Sequence, residues 1–237
     1  MNKSTCFAIV LLYTGIVQAQ SMRSDLTGLA FAEAYDVHGT PFTEINKNDF
    51  DGTPYLNESW TKGQVKMKSG MAVKDIDLQV NLYSNELMFR KNDTVFLFAN
   101  PVSEFTLLYP DIGDSKRVLF RCGYPDATPT GEEKFYMVLA DGSKLHLVKY
   151  IYKVLADEVN YGGPVRKEYQ QKEQLFIYDA ADGILVPAKK SKSALIKSLP
   201  SYADKIQSFK SGDKLSGEDD LVKLVNDINQ STIMTNN

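Results

Sequence analysis

The chain has 237 residues, with 27 Lys or Arg against 30 Asp or Glu, a formal charge of −3 at pH 7, and 43% hydrophobic residues. Its cations are scattered along the sequence, whereas a nucleic-acid partner selects a basic stripe or patch, so composition argues against nucleic-acid binding. Beyond the N-terminal run, nothing approaches the roughly 18 consecutive apolar residues that cross a bilayer as a helix, and no transmembrane helix is expected in the mature chain.

At the N-terminus Lys3 precedes an apolar run from Cys6 to Val17 and a small-residue exit, Val17-Gln18-Ala19. A positive start, a core too short to span a bilayer and Ala at the junction define a secretory signal peptide over residues 1–19. The working protein is then expected to start near Gln20 and to be exported, either to the periplasm or to the cell surface and medium. Cys6 leaves with the leader, so Cys122 remains as the single thiol and cannot form an internal bridge. It closes the strand-like run Val118-Leu119-Phe120-Arg121-Cys122, where cysteine behaves as a small buried hydrophobe. A mature chain of this size buries about 70% of its unfolded surface, enough for a core without metal or disulfides.

From Gln20 to Trp60 the chain reads as a turn-rich lead-in with one or two short strands; Gly39-Thr40-Pro41-Phe42 is echoed by Gly52-Thr53-Pro54-Tyr55. Two echoes fall short of a repeat architecture. Next, Ile76, Leu78, Val80 and Leu82 alternate with Asp77, Gln79, Asn81 and Tyr83, a period of two that gives a strand one buried and one wet face. Similar runs occupy 64–68, 86–90, 94–98, 104–108, 117–122 and 135–139, separated by Ser69-Gly70, Ser84-Asn85, Asn92-Asp93, Asn100-Pro101 and Asp141-Gly142, residues that accept positive φ or interrupt a ladder. Asp141-Gly142 is the strongest hairpin signal. Longer strand-like stretches follow at 144–154 and 169–178, and Asp182-Gly183 leads into 184–186.

Past Pro187 the period moves toward 3.6. Leu195 with Leu199 and Tyr202 with Ile206 and Phe209 mark two short helices, and Leu221, Leu224, Val225 and Ile228 form one apolar stripe. Ser216 is placed to cap that last helix, with Glu218, Asp219 and Asp220 against its positive dipole end. The fold class is therefore mainly β with C-terminal helices (α+β): an antiparallel meander forming a sandwich or partly open barrel over 20–188, and a helical segment over 189–237 packed on it.

Chemical motifs are sparse. His38 and His146 are the only histidines and lack metal-ligand spacing with any cysteine or carboxylate, so no metal site and no cofactor are expected. His146 shares a strand face with Val148, Tyr150 and Tyr152, which makes a packed strand histidine the plain reading; pairing with Cys122 in a nucleophilic site would need a third orienting residue. Asp49-Phe50-Asp51-Gly52 with Glu58 echoes half a calcium loop, but Lys47 stands where the first carboxylate belongs. Ser59 and Lys62 have the spacing of one acyl-enzyme class without its companion motifs. Tyr55 and Trp60, rigid rings in a loop-rich segment, are the candidate ligand-binding residues, since such rings add contact area at low entropy cost.

The run Gly52-Thr53-Pro54-Tyr55-Leu56, then Trp60 and Lys62-Gly63, then Val80-Asn81-Leu82-Tyr83, Pro101-Val102-Ser103-Glu104-Phe105 and the ending Asp219 to Asn226 resembles uncharacterised secreted β-rich proteins of Bacteroidetes-type Gram-negative bacteria. The resemblance implies a periplasmic or cell-surface setting and supplies no activity or site residue. The leading expectation is an exported, non-enzymatic protein of the envelope that binds a macromolecule, its partner an envelope component, glycan or protein. One alternative is a carrier of a small apolar ligand or lipid, which requires a cavity lined by inward residues such as Ile76, Leu78, Val80 and Leu82. Another is an envelope hydrolase using paired carboxylates. In a eukaryotic host Asn57, Asn92 and Asn229 would be glycosylation acceptors.

Overall fold

A computed structural model describes residues 31–33 (backbone only), 50–91, 93–109, 116–125, 134–158, 166–210 and 215–231. The leader over 1–19, His38, Asp49 and Asn92 lie outside the described residues. Alternating segments become strands: β1 (Phe31–Glu33), β2 (Phe50–Asp51), β3 (Thr61–Met67), β4 (Ala72–Asn81), β5 (Glu86–Lys91), β6 (Thr94–Phe98), β7 (Val102–Tyr109), β8 (Lys116–Arg121), β9 (Tyr136–Ala140), β10 (Leu145–Glu158), β11 (Arg166–Asp179) and β12 (Ile184–Pro187). Helices α1 (Lys192–Ser198), α2 (Ala203–Ser208) and α3 (Glu218–Gln230) follow. The protein is mainly β with short C-terminal helices.

The strands join one open sheet in the order β1-β6-β5-β4-β3-β7-β8-β9-β10-β11-β12, with β2 added in parallel to β11. Two meanders are thus spliced where β3 pairs β7. This junction bends the sheet. β6 and β7 are joined by residues 99–101, a link of about 14 Å at full extension. Three strands lie between them, so a flat sheet would separate them by about 19 Å sideways. They also run parallel, which would put the end of β6 and the start of β7 at opposite ends of that sheet. Only strong coiling brings Phe98 back to Val102, and it leaves a seam between the two strands.

Coiling is assisted by bulges. The β3–β4 register shifts at Gly63/Gln64, and Asp75, the extra residue opposite, takes φ 57°, a conformation that short polar side chains tolerate. Inside the coil Val65, Met67, Leu78, Val80, Leu82, Phe89, Phe105, Leu107 and Phe120 interlock, and Ile151 of β10 closes the cluster. The space between Leu78, Val80 and Leu82 is filled by these neighbours; all three side chains are buried and Ile76 packs beside them.

The expected wet face of β4 is covered at Gln79 and Asn81, both 6% exposed. Residues before β3 run along the β4 edge, Leu56 N–H donating to Val80 and Leu82 N–H to Pro54. The Gln79 amide donates to the carbonyls of Asn57 and Glu58, and Asn81 Oδ1 accepts from the amides of Tyr83 and Ser84. Each buried polar side chain thus meets a backbone group.

The helices cover the other half of the same face. Leu195, Leu199, Ile206, Leu221, Leu224, Val225 and Ile228 pack on Ala140, Leu145, Leu147 and Ile177. The α3 stripe is buried as its period predicts. Its start differs in detail: Gly217 is the N-cap, and Ser216 donates through N–H (2.8 Å) and Oγ (2.6 Å) to Asp220 Oδ2. The acidic first turn reaches back to Ser216, rather than Ser216 reaching forward to the helix amides.

Candidate functional site

The long antiparallel pairing of β10 with β11 puts His146 opposite Tyr178, Tyr150 opposite Gln174 and Tyr152 opposite Lys172. These even-numbered residues face away from the helices. With Tyr124, Tyr136, Val148, Phe176 and Leu185 they form an aromatic layer on the outer face of the sheet. Val148 is fully buried beneath the rings. Tyr124 meets Tyr136, His146 and Tyr178 edge-on at 5.2–5.7 Å. Tyr150 and Tyr152 stack at 5.0 Å, and the Lys134 ammonium lies over the Tyr150 ring. The strand face that the sequence assigns to His146 is the one observed.

At one end of this layer the sheet register assembles a polar cluster from four strands or their turns. Arg121 forks onto both carboxylate oxygens of Asp141 at 2.9 Å and onto Glu104 at 3.3 Å. Asp141 Oδ1 lies 3.3 Å from His146 Nε2, and the Tyr124 hydroxyl 2.9 Å from Nδ1. A proton on Nε2 satisfies both contacts: the ring donates to Asp141 and accepts from Tyr124. The Arg121 fork holds the Asp141 carboxyl below its usual range against partial burial. Burial lowers the His146 pKa, Asp141 opposing and Arg121 adding to the shift, and the ring is neutral at pH 7. Burial likewise raises the Tyr124 phenol.

Such an aspartate–histidine–tyrosine line has the order of a proton relay. Its terminal oxygen belongs to a buried, protonated phenol that also accepts from Arg121 at 3.4 Å. A group held in that state is a hydrogen-bond donor, not an activated nucleophile. The cluster's evident work is to fasten β7, β8 and the β9–β10 turn.

A second feature lies on the seam between β6 and β7. A cavity of about 480 Å³ opens there, within the range of small-molecule sites. Its apolar wall is Leu87, Leu97, Phe98, Val102 and Phe135, and its polar lining comes from Lys68, Ser84, Asn85, Glu86 and Asn100. Cys122 lies in the wall, half-buried. The local folding reasons are identifiable. Asn85 takes φ 58° in the β4–β5 turn and accepts from the Phe135 amide at 3.3 Å, fixing Phe135 against that turn. Lys68 N–H donates to Pro101 and Cys122 N–H to Ser103, tying the β6–β7 link to its neighbours. Ser84 Oγ donates to Glu86 at 2.6 Å.

Neither Tyr55 nor Trp60 lines this cavity. Tyr55 is 6% exposed, bridges Asn81 and offers its carbonyl, with that of Thr53, to Lys153 Nζ at 2.7 Å. Trp60 is half-buried with the Arg90 guanidinium 5.2 Å over its ring. Arg90 and Lys62 both bond Asp77, so Lys62 is engaged in an ion network. Cys122 and His146 fall in different neighbourhoods, the seam and the outer cluster. Asp51 pairs with Arg166 at 3.8 Å and Glu58 is exposed. Among the described residues no group of three or more His, Cys, Asp or Glu could hold a metal ion, and no helix is long and apolar enough to cross a membrane. The Asn57 amide donates to Ser59 and Thr61, and that of Asn229 to Leu145, so both acceptor amides are occupied.

Sequence reasoning missed the seam because its walls come from β5, β6, β7 and the ends of β8 and β9; only the Asn100-Pro101 break hinted at it. Comparison with protein-family models, curated proteins and solved structures finds no match to this chain.

Proposed function

We propose that this is an exported, non-enzymatic binding protein of the cell envelope whose ligand seat is the seam cavity. The observation that carries the reading is the cavity itself, lined by both apolar and polar side chains on the unpaired seam between β6 and β7. Ligand sites combine an apolar body with a few placed polar groups in this way.

Native mass spectrometry of the protein purified from its own host tests this. A co-purifying small molecule, lost from the Ala99→Trp variant that adds bulk to the cavity lining, is the expected result. A ligand-free spectrum from both proteins, with no binding of amphiphilic probes, would overturn it.

The Tyr150–Tyr152 stack favours a second reading, docking of a glycan chain on the outer face, where Gln174 and Lys172 sit opposite the two rings. Tyrosines flanked by an amide and an ammonium suit sugar faces and hydroxyls. Retention on an envelope polysaccharide column, lost in Tyr152→Ala, would favour this reading; retention unchanged in that variant rejects it.

A further inference from the structure

Removing one electron from a phenol turns its hydroxyl into a strong acid, so the step is favoured where a base already stands at the oxygen. Tyr124 has such a base. Its hydroxyl lies 2.9 Å from His146 Nδ1, the ring nitrogen left without hydrogen when Nε2–H faces Asp141, and burial keeps that ring neutral at pH 7. Arg121, the other group on the phenol oxygen at 3.4 Å, is a donor only and cannot take a proton. Other tyrosines are placed differently. The Tyr109 hydroxyl donates to the Asn57 amide and that of Tyr202 to the Asp179 carboxylate, both weaker bases than imidazole, and the buried Tyr169 hydroxyl has no hydrogen-bond partner. Tyr124 is also joined to the surface by rings in contact. Centroid separations are 5.6 Å from Tyr124 to Tyr136, 5.5 Å from Tyr136 to Tyr150 and 5.0 Å from Tyr150 to Tyr152. The first two rings are buried and the last two part-exposed.

We propose that Tyr124 and His146 form a redox-active pair, which stores an oxidising equivalent that a diffusible one-electron oxidant, such as nitrogen dioxide or carbonate radical, delivers to the outer face. The oxidant takes one electron from Tyr152 and becomes nitrite or carbonate, while the Tyr152 phenolic proton passes to water. An electron then moves from Tyr124 through Tyr136 and Tyr150 to Tyr152, which regains a proton from water. The Tyr124 O–H bond breaks and an N–H bond forms at His146 Nδ1. Burial and Arg121 oppose the imidazolium so formed, and Asp141 and the Gly142 backbone favour it. The radical cation of a phenol is a far stronger acid than any imidazolium, so the proton moves. The stored species is a neutral Tyr124 phenoxyl radical, shielded by Tyr136 and Tyr178 from coupling with a second radical. A one-electron reductant such as ascorbate returns the electron, and Nδ1 returns the proton.

Flash oxidation of the full chain by a ruthenium photo-oxidant with persulfate, followed by freeze-quench electron paramagnetic resonance, tests the pair. The parent protein is expected to hold one persistent tyrosyl radical, with the spectrum of a hydrogen-bonded phenoxyl oxygen and a coupling to isotopically labelled histidine nitrogen. Tyr124→Phe should remove that signal. His146→Gln, whose amide is not a base, should lower its yield about five- to tenfold, the worth of roughly one hydrogen bond. Tyr152→Phe should slow its appearance and leave its spectrum unchanged. The same spectrum from Tyr124→Phe, or an unchanged yield in His146→Gln, overturns the proposal. So does a parent radical with no coupling to histidine nitrogen, a result read in the unaltered protein whatever the variants do to folding.

Discussion

Gly63 sits where β3 passes between β4 and β7, and a Cβ there would overlap the Thr106 carbonyl oxygen and Cδ1 of Leu78. The first obstacle is backbone and cannot swing aside, so Gly63→Ala must push two paired strands apart. A loss of about 1–3 kcal/mol, the usual cost of overpacking, is expected from urea unfolding, while Gly70→Ala, in a turn with nothing near its Cβ, carries only the strain of its positive φ. Asn229 is the converse case, a side chain behaving as a piece of strand. Its Oδ1 accepts from the amides of Lys144 and Leu145, its Nδ2 donates to the Leu145 carbonyl, and the Lys144 ammonium in turn caps Ile228 and Ser231. Asn229→Ala leaves three backbone groups short of partners where α3 shields them from water, and at about 1 kcal/mol or more for each unmet group a loss of about 2 kcal/mol or more is expected. Denaturant midpoints near that of the parent protein would show that water replaces the amide fully.

Among the elements, α3 binds the helical segment to the sheet, through its apolar stripe and through Lys149, which reaches Glu218 in its first turn and Glu173 on β11. Leu224→Ala should cost about 2–5 kcal/mol, as buried leucine truncations do; Lys223→Ala, on the exposed face of the same helix, should change stability by about 0.5 kcal/mol or less. Equal effects would mean that the stripe does not bear on the sheet. This element was legible because nearly everything that specifies it is local, four leucine-like positions at i, i+3, i+4 and i+7 and acids in the first turn; its cap alone stands one residue later than the sequence suggests, at Gly217 instead of Ser216. The strands were legible for the same reason, and Asp141-Gly142 marked its hairpin correctly. Local pattern fails where a side chain meets something distant in sequence. Gln79 reads as solvent-facing because nothing in its neighbourhood announces that the carbonyls of Asn57 and Glu58 will accept from it, and the Lys153 and Arg90 that engage the Tyr55 and Trp60 segment arrive from β10 and β5.

For the whole molecule, strand order is the property that sequence could not supply: a meander rule pairs β6 with β7, whereas the observed sheet inserts β5, β4 and β3 between them and thereby makes both the coil and the seam. The Arg121 cluster depends on the same order, since Glu104, Arg121, Asp141 and His146 come from neighbouring strands and the turn that ends one of them. Its titration should set the response of global stability to acid. His146 has its folded pKa below the ordinary value near 6.5, so the stability linked to its neutral ring is complete above pH 6.5 and is lost as pH falls through the lower folded value. Asp141 is also depressed, which places its contribution above the ordinary aspartate range, to be lost only as pH drops through a still lower value. Protonating the ring turns Nδ1 into a donor facing the Tyr124 hydroxyl, which then has the Arg121 and His146 donors on one oxygen and must turn its own proton elsewhere. Acid unfolding should therefore proceed in two steps, a decline beginning below pH 6.5 and a steeper one below pH 4. His146→Gln, which can still donate to Asp141 and cannot charge, should remove the first step and leave the second when urea midpoints are measured across pH 3–8. A first step that survives this substitution would assign it to carboxylates elsewhere on the sheet.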